Sequence, residues 1–195
     1  MLPQRISAKF FFEPEAAPAP ATFIPLFHQW IQEETVPGIL IDVVDYRHVF
    51  QGPGVILVGH EGDYALDMGH GQAGLLYRRK RAWPETATTL ASRLRLVLVS
   101  ALAAVTAVEA AGDGMGQVAP RRDELELSFT DRLALPNNEA SQRQVAEALP
   151  AALVGLYPQQ AFYVHLVEPD PREPLRLRVA RQPVDRAQVA TGGER

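Results

Sequence analysis

Most of the side chains that could do chemistry lie in segment 38–83. This segment contains three of the five histidines, an acid-rich turn and the basic run Arg78-Arg79-Lys80-Arg81. Apolar and polar residues alternate along much of it, which predicts consecutive β-strands. Ionisable side chains on otherwise apolar strands make this segment the first place to expect a binding or catalytic site.

The first candidate chemistry is a carboxylate–imidazole pair. A hairpin turning at Gly52-Pro53 would place Asp45 opposite His60, where the carboxylate could orient the imidazole for general acid–base catalysis. The pair depends on register, because a slip of one residue moves a side chain to the other face of the sheet. The serines lie elsewhere in the sequence, and no G-x-S-x-G motif is present. We therefore favour a structural or exposed hydrogen bond over a catalytic pair.

The second candidate chemistry is a divalent metal site. Nitrogen and oxygen ligands suited to zinc occur in one stretch, namely His48, His60, Glu61 and Asp63, with Asp67 and His70 close by. Their spacing is not diagnostic, because His60-Glu61 begins like H-E-x-x-H but Tyr64 stands where the second histidine should be. Acids beside Gly62 also suit a tight turn. The favoured interpretation has no metal and no cofactor.

The third candidate chemistry is anion binding at the basic run. A basic strand end leading into a helix that starts at Pro84 would combine side-chain cations with free backbone N–H groups. Such a combination can hold a carboxylate or a phosphate. Alternation places Arg78 and Lys80 on one side of the strand and Arg79 and Arg81 on the other. A solvated strand end is the alternative interpretation, and it is the favoured one for the run as a whole.

These candidates define one predicted binding region on the hairpin and the basic strand end. Its residues are Tyr46, His48, His60, Glu61, Asp63, Tyr64, Arg78 and Lys80. The leading hypothesis is a binding or interaction protein without catalytic activity, which takes a partner chain or a small anionic ligand. Exposed strand edges favour a homodimer. The alternative is an acid–base or metal-dependent enzyme that uses His48 or His60 with Asp45, Glu61 or Asp63.

The elements that position these residues predict an α+β fold with a mostly antiparallel sheet. Strands are expected at 5–12, 39–49, 55–60, 124–130, 161–168 and 175–181, with shorter ones near 63–67 and 73–80. Helices are expected at 22–34, 85–111 and 138–156. The strand at 39–49 is apolar on both faces at its start, which is typical of a central strand. The long helix 85–111 is expected to organise the core.

Both halves of the chain show the order strand–helix–strand–strand, over 5–60 and 124–181. Their residue identity is negligible, so a duplication would be architectural only. We expect one domain over 1–183 and a disordered tail over 184–195. Outward Arg176 and Arg178 could pair with outward Glu124 and Glu126 if their strands are neighbours.

The composition narrows the class of function. Cysteine is absent from the 195 residues, which excludes disulfides and cysteine-ligated metals. The formal net charge of −4 argues against a general nucleic-acid binder, which usually carries a basic excess. No secretory signal is evident, and the longest nearly apolar run, 96–108, is shorter than the ~20 residues needed to span a bilayer. We expect a cytoplasmic protein without a membrane segment.

Overall fold

A computed structural model describes residues 1–50, 52–112, 118–157, 162–167 and 170–181. Within these ranges the chain forms eight β-strands and three α-helices. The elements in chain order are β1 (Ile6–Phe12), α1 (Phe23–Glu33), β2 (Leu40–Tyr46), β3 (Gly54–Gly59), β4 (Gly62–Asp67), β5 (Gly74–Arg79), α2 (Leu90–Ala110), β6 (Pro120–Phe129), α3 (Glu139–Leu153), β7 (Phe162–Leu166) and β8 (Leu175–Arg181). The predicted tail 184–195 lies outside the described residues.

The eight strands form one antiparallel sheet in the order β2-β3-β4-β5-β1-β6-β8-β7. The predicted α+β fold with three main helices and an antiparallel sheet is confirmed. β1 lies in the interior between β5 and β6, so the two halves of the chain meet along it. In the second half β8 pairs directly with β6, whereas in the first half β4 and β5 separate β1 from β3. The halves therefore share an order of elements but not the same strand neighbours.

The core lies between one face of the sheet and the helices. Alternate residues of β1, namely Ile6, Ala8, Phe10 and Phe12, are at most 1% exposed and join one cluster with side chains from the three helices. Burying one large apolar side chain contributes about 1.5–3 kcal/mol, so this face dominates the stability. Side chains alternate between the faces of a strand, so Ser7, Lys9 and Phe11 point away from the helices. We call this second side of the sheet the open face.

Helix α2 begins later than the sequence predicts, at Leu90 instead of residue 85. A capping box fixes this start, because Thr89 Oγ1 accepts from the Ser92 N–H at 3.1 Å and Ser92 Oγ accepts from the Thr89 N–H at 3.0 Å. Upstream, the Ala87 N–H donates to the Pro84 carbonyl in a turn at 2.9 Å. Proline therefore starts that turn instead of the helix.

The length and composition of α2 would also suit a membrane span. It has 21 residues and a window of mean hydropathy 1.6, a combination that the core helix of a soluble protein can show equally well. It carries buried side chains that include Leu94, Val97, Leu98 and Val105, all packed in the core cluster. In this structure α2 is the central core helix that the sequence predicts.

Strand β2 lies at the edge of the sheet, so the prediction of a central strand is wrong. Its only strand neighbour is β3 among the described residues. One side packs against α1, and the apolar side chains Ile39 and Ile41 are 62% and 56% exposed. The register of β2 shifts between Leu40 and Asp42, as at a β-bulge. The apolar residues on one face of this segment are therefore partly covered by α1, while Ile39 and Ile41 are exposed.

Candidate functional site

Four polar side chains form a row across the centre of the open face. Ser7 of β1 pairs in register with Arg78 of β5 and with Ser128 of β6, and Ser128 pairs with Arg176 of β8. Residues paired in this way point to the same face of a sheet. Two hydroxyls therefore lie between two guanidinium side chains, an arrangement that we call the Arg-Ser-Ser-Arg row.

A buried ion pair lies beside this row. Lys9 is 4% exposed, and its Nζ donates to Asp67 Oδ2 at 2.7 Å and to the Gly69 carbonyl at 3.1 Å. Its ammonium group also lies 5.6 Å from the centre of the Phe11 ring. Gly74 makes room for this side chain, because a Cβ there would lie 2.6 Å from Lys9 Cε. Lys9 is thus held flat on the open face by two hydrogen bonds and an aromatic ring contact.

The row and the ion pair line a common cavity of about 280 Å³. The residues around it are Ser7, Lys9, Pro53, Asp67, Gly69, His70, Leu76, Arg78, Glu126, Ser128 and Arg176. His70 closes one side from a short turn, where it has φ of 60° between two glycines. Left-handed backbone in a residue other than glycine costs of order 1–3 kcal/mol and clusters at functional sites.

The cavity carries one positive charge that the described residues do not neutralise. Its lining has three permanent cations, Lys9, Arg78 and Arg176, against the two carboxylates of Asp67 and Glu126. Arg78 is exposed and donates from Nε to Ser7 Oγ at 3.4 Å, and no carboxylate of the described chain lies within 4.0 Å of it. By contrast, the neighbouring Arg178 is paired with Glu124 at 3.0 Å. Arg78 is therefore the lining cation without a carboxylate partner in the described chain, whereas Arg176 has an ion pair with Glu126 at 3.8 Å.

The predicted pairing of Asp45 with His60 is wrong. Asp45 pairs in register with Val55, whereas the His60 N–H donates to the Ile39 carbonyl at the other end of the hairpin. β2 ends at Tyr46 instead of residue 49, and Tyr46 pairs with Gly54, so the two strands pair around residue 50 instead of around Gly52-Pro53. Asp45 instead binds Arg47 through both carboxylate oxygens at 2.6–2.9 Å, which lowers the pKa of Asp45 to about 2.

The four residues of the alternative metal site do not come together. Across the described chain no group of three or more histidine, aspartate or glutamate side chains could hold a metal ion. Glu61 Oε2 accepts the Ile39 N–H at 3.0 Å, which lowers the pKa of Glu61, and His60 lies 3.4 Å from the same carboxylate. Asp63 accepts from Lys80 Nζ at 2.7 Å. His48 lies beyond the far end of β2, with its ring 6.3 Å from that of Tyr46.

Tyr64 belongs to the core and not to the open face. Its ring is 1% exposed and packs against Trp30 and Tyr77, and its hydroxyl donates to the Pro37 carbonyl at 2.7 Å. This burial raises the pKa of the Tyr64 hydroxyl. Of the eight residues predicted to bind, Arg78 alone lines the cavity.

The rest of the basic run is engaged elsewhere. Arg79 lies over the Trp83 ring at 5.6 Å and donates to the Ala82 carbonyl, while Arg81 Nε donates to the His60 carbonyl at 3.3 Å. The predicted partnership with a helix N-terminus does not form, because α2 begins later and its first donors are capped. The run therefore contributes one arginine to the cavity.

Sequence reasoning missed five polar members of the cavity: Ser7, Lys9, Glu126, Ser128 and Arg176. The available signal was their alternation with the apolar residues of β1, β6 and β8. The predicted pairing of outward Glu124 and Glu126 with outward Arg176 and Arg178 is confirmed, at 3.8 Å for Arg176–Glu126 and 3.0 Å for Arg178–Glu124.

Fold and cavity together define an α+β protein with a polar, partly cationic sheet face. Comparisons with protein-family models, with curated proteins and with solved structures find no match for this chain. Its chemistry is therefore inferred from its own residues.

Proposed function

We propose that the chain is a binding protein without catalytic activity, and that a small anionic ligand occupies the cavity of the open face. The observation that carries this proposal is the Arg-Ser-Ser-Arg row, in which Arg78 lacks a carboxylate partner within the described chain. Guanidinium groups and hydroxyls both donate hydrogen bonds to carboxylate or phosphate oxygens. A cavity of about 280 Å³ suits a ligand of a few heavy atoms better than a nucleotide or a peptide.

The catalytic alternative has less geometric support. His48 lies in the loop that precedes β3 and His60 directly follows it, so the six residues of β3, a strand about 20 Å long at ~3.3 Å per residue, lie between them. The carboxylates near them are engaged with Arg47, the Ile39 backbone and Lys80. A general acid–base pair requires its members within hydrogen-bond reach of one reacting group. The arrangement of these residues therefore favours a binding role over a catalytic one.

Arg78→Gln should weaken the binding of inorganic phosphate at least tenfold. A hydrogen bond to a charged group contributes about 1.5–3 kcal/mol, and about 1.4 kcal/mol corresponds to a factor of ten in affinity. Isothermal titration calorimetry at low salt, in a buffer free of phosphate, measures the change. The matched control is Arg143→Gln, because Arg143 is an exposed arginine on α3 far from the cavity lining. Equal affinities in both variants would contradict the proposal, as would an absence of saturable binding in the parent protein.

A second candidate function is self-association through the β2 edge. Ile39 and Ile41 are 62% and 56% exposed at the start of this edge, and Phe50, four residues beyond the end of β2, is 90% exposed. Asp42 Oδ1 accepts the Val43 N–H at 2.8 Å, so that donor is already satisfied and apolar side chains would carry the contact. Light scattering on a sizing column should then give a dimer mass for the parent and a monomer mass for Ile41→Asp. A monomer at every concentration of the parent protein would remove this candidate.

A further inference from the structure

We infer that the ligand of the open-face cavity is a small zwitterion, whose ammonium group binds Glu126 while its carboxylate or phosphate group binds Arg78. This inference rests on the proposed function, because it assigns the second charge of the ligand held in the same cavity. The proposed function is argued from Arg78, whereas this inference is argued from the carboxylate of Glu126.

Glu126 is a buried carboxylate without a hydrogen bond. It is 7% exposed, lines the cavity and receives no hydrogen bond from any donor in the described chain. Its nearest cation is Arg176, whose Nη1 lies 3.8 Å from Oε1, outside hydrogen-bond distance. An ionised carboxylate can only accept hydrogen bonds, and its two oxygens together offer about four lone-pair sites. The open side of Glu126 faces the cavity, so a bound molecule can supply the donor.

Arg176 forms an ion pair with Glu126 at 3.8 Å but no hydrogen bond, and the two cations directly across the sheet from Glu126 are held by other groups. Lys9 is its cross-strand partner in register, yet the Lys9 ammonium donates to Asp67 at 2.7 Å and to Gly69. Arg178 is also directly across from Glu126, and it pairs with Glu124 at 3.0 Å. The sheet thus holds a carboxylate between two cations that point elsewhere.

The positions of Glu126 and of the Arg-Ser-Ser-Arg row set the shape of the ligand. Ser128 lies two residues from Glu126 on the same face of β6, which is about 7 Å along the strand. A single small molecule can therefore present an ammonium to Glu126 and an anion to Ser128 and Arg78 at once. The cation must be a hydrogen-bond donor, which favours a primary ammonium over a quaternary one. Amino acids and amino-alkyl phosphates with a short carbon linker belong to this class.

Two matched pairs of probes test the inference by calorimetry. O-Phosphoethanolamine is compared with ethyl phosphate, and β-alanine with propionate, because each pair keeps the anion and differs by the ammonium group. We expect the ammonium-bearing member to bind the parent protein at least tenfold more tightly. Glu126→Gln should abolish this preference, and ethyl phosphate should bind at least as tightly as before, because a negative charge beside the anion site is removed. Glu147→Gln, at an exposed glutamate of α3, is the matched control and should keep the preference.

The outcomes separate this inference from the proposed function. If both members of each pair bind the parent protein with equal affinity, the zwitterion is excluded and the anion site stands. If none of the four probes binds, the anion site fails together with the inference. The comparison within the parent protein decides the question even if Glu126→Gln does not fold.

Discussion

Lys9→Met should lower the free energy of unfolding by about 3–5 kcal/mol, because it leaves a carboxylate uncompensated in a buried position. The Lys9 and Asp67 side chains are 5% and 17% exposed, and their charged atoms are 2.7 Å apart. Methionine keeps most of the length of lysine but loses the charge and the donor to Gly69. Urea unfolding followed by circular dichroism measures the change.

The chain contains a matched control for this substitution. Lys80 and Asp63 are also 2.7 Å apart, but their side chains are 30% and 23% exposed. Solvent-accessible ion pairs contribute about 0–1 kcal/mol, so Lys80→Met should have a much smaller effect. Adding Asp67→Asn to Lys9→Met should restore part of the loss, because the unpaired charge is then gone. Equal losses for the two lysine variants would contradict the account of Lys9 as a buried structural cation.

Gly54→Ala should destabilise the fold by about 3 kcal/mol, since it combines backbone strain with a steric clash. Gly54 has φ of +69°, and a Cβ there would lie 2.4 Å from the Leu66 carbonyl oxygen of the neighbouring strand. The clashing atom belongs to the backbone of β4, so no rotation of a side chain can relieve this contact. The same unfolding measurement gives the loss.

Gly71→Ala separates the two contributions. Gly71 has nearly the same φ, +73°, but a Cβ added there would meet nothing within 4 Å. The substitution should therefore cost only the conformational part, about 1 kcal/mol. If the two alanine variants are equally stable, the close approach of β3 to β4 at Leu66 does not constrain the hairpin.

The faces of the sheet could be predicted from alternation along single strands. The apolar residues Ile6, Phe10, Leu125 and Leu127 all lie in the core, as their spacing predicts. Alternation also predicts that Glu126 and Arg176 lie on the outward face, where they are found. Such patterns depend on local geometry alone, because successive side chains of a strand point to opposite faces.

The cavity could not be predicted in the same way. Ser7, Arg78, Ser128 and Arg176 are far apart in sequence and meet only because β1 lies between β5 and β6. Periodicity specifies which side of a strand is buried, but it does not specify the order of the strands. The chemistry of the histidines favours a site around them, yet His48 and His60 lie at opposite ends of a hairpin.

The register of the β2–β3 hairpin could not be predicted from the sequence either. Turn chemistry predicts a turn at Gly52-Pro53, whereas the strand pair that precedes the turn is Tyr46 with Gly54. A β-bulge near Ile41 adds a further shift. The sequence pattern is compatible with either turn position and with or without the bulge, because the apolar residues of β2 and β3 alternate in several registers.

The central claim is that the open-face cavity binds a small anion, and the position of the bound anion tests it most directly. Inorganic phosphate can be titrated into isotope-labelled protein while the backbone amide resonances are followed. We predict saturable shifts that are largest at Ser7, Lys9, Arg78 and Ser128. Shifts should be small at Arg121 and Arg122, which line a larger cavity of about 480 Å³ but are paired with Glu124 and Glu109. The largest shifts around those two arginines, or no saturable shifts at the open face, would contradict the claim.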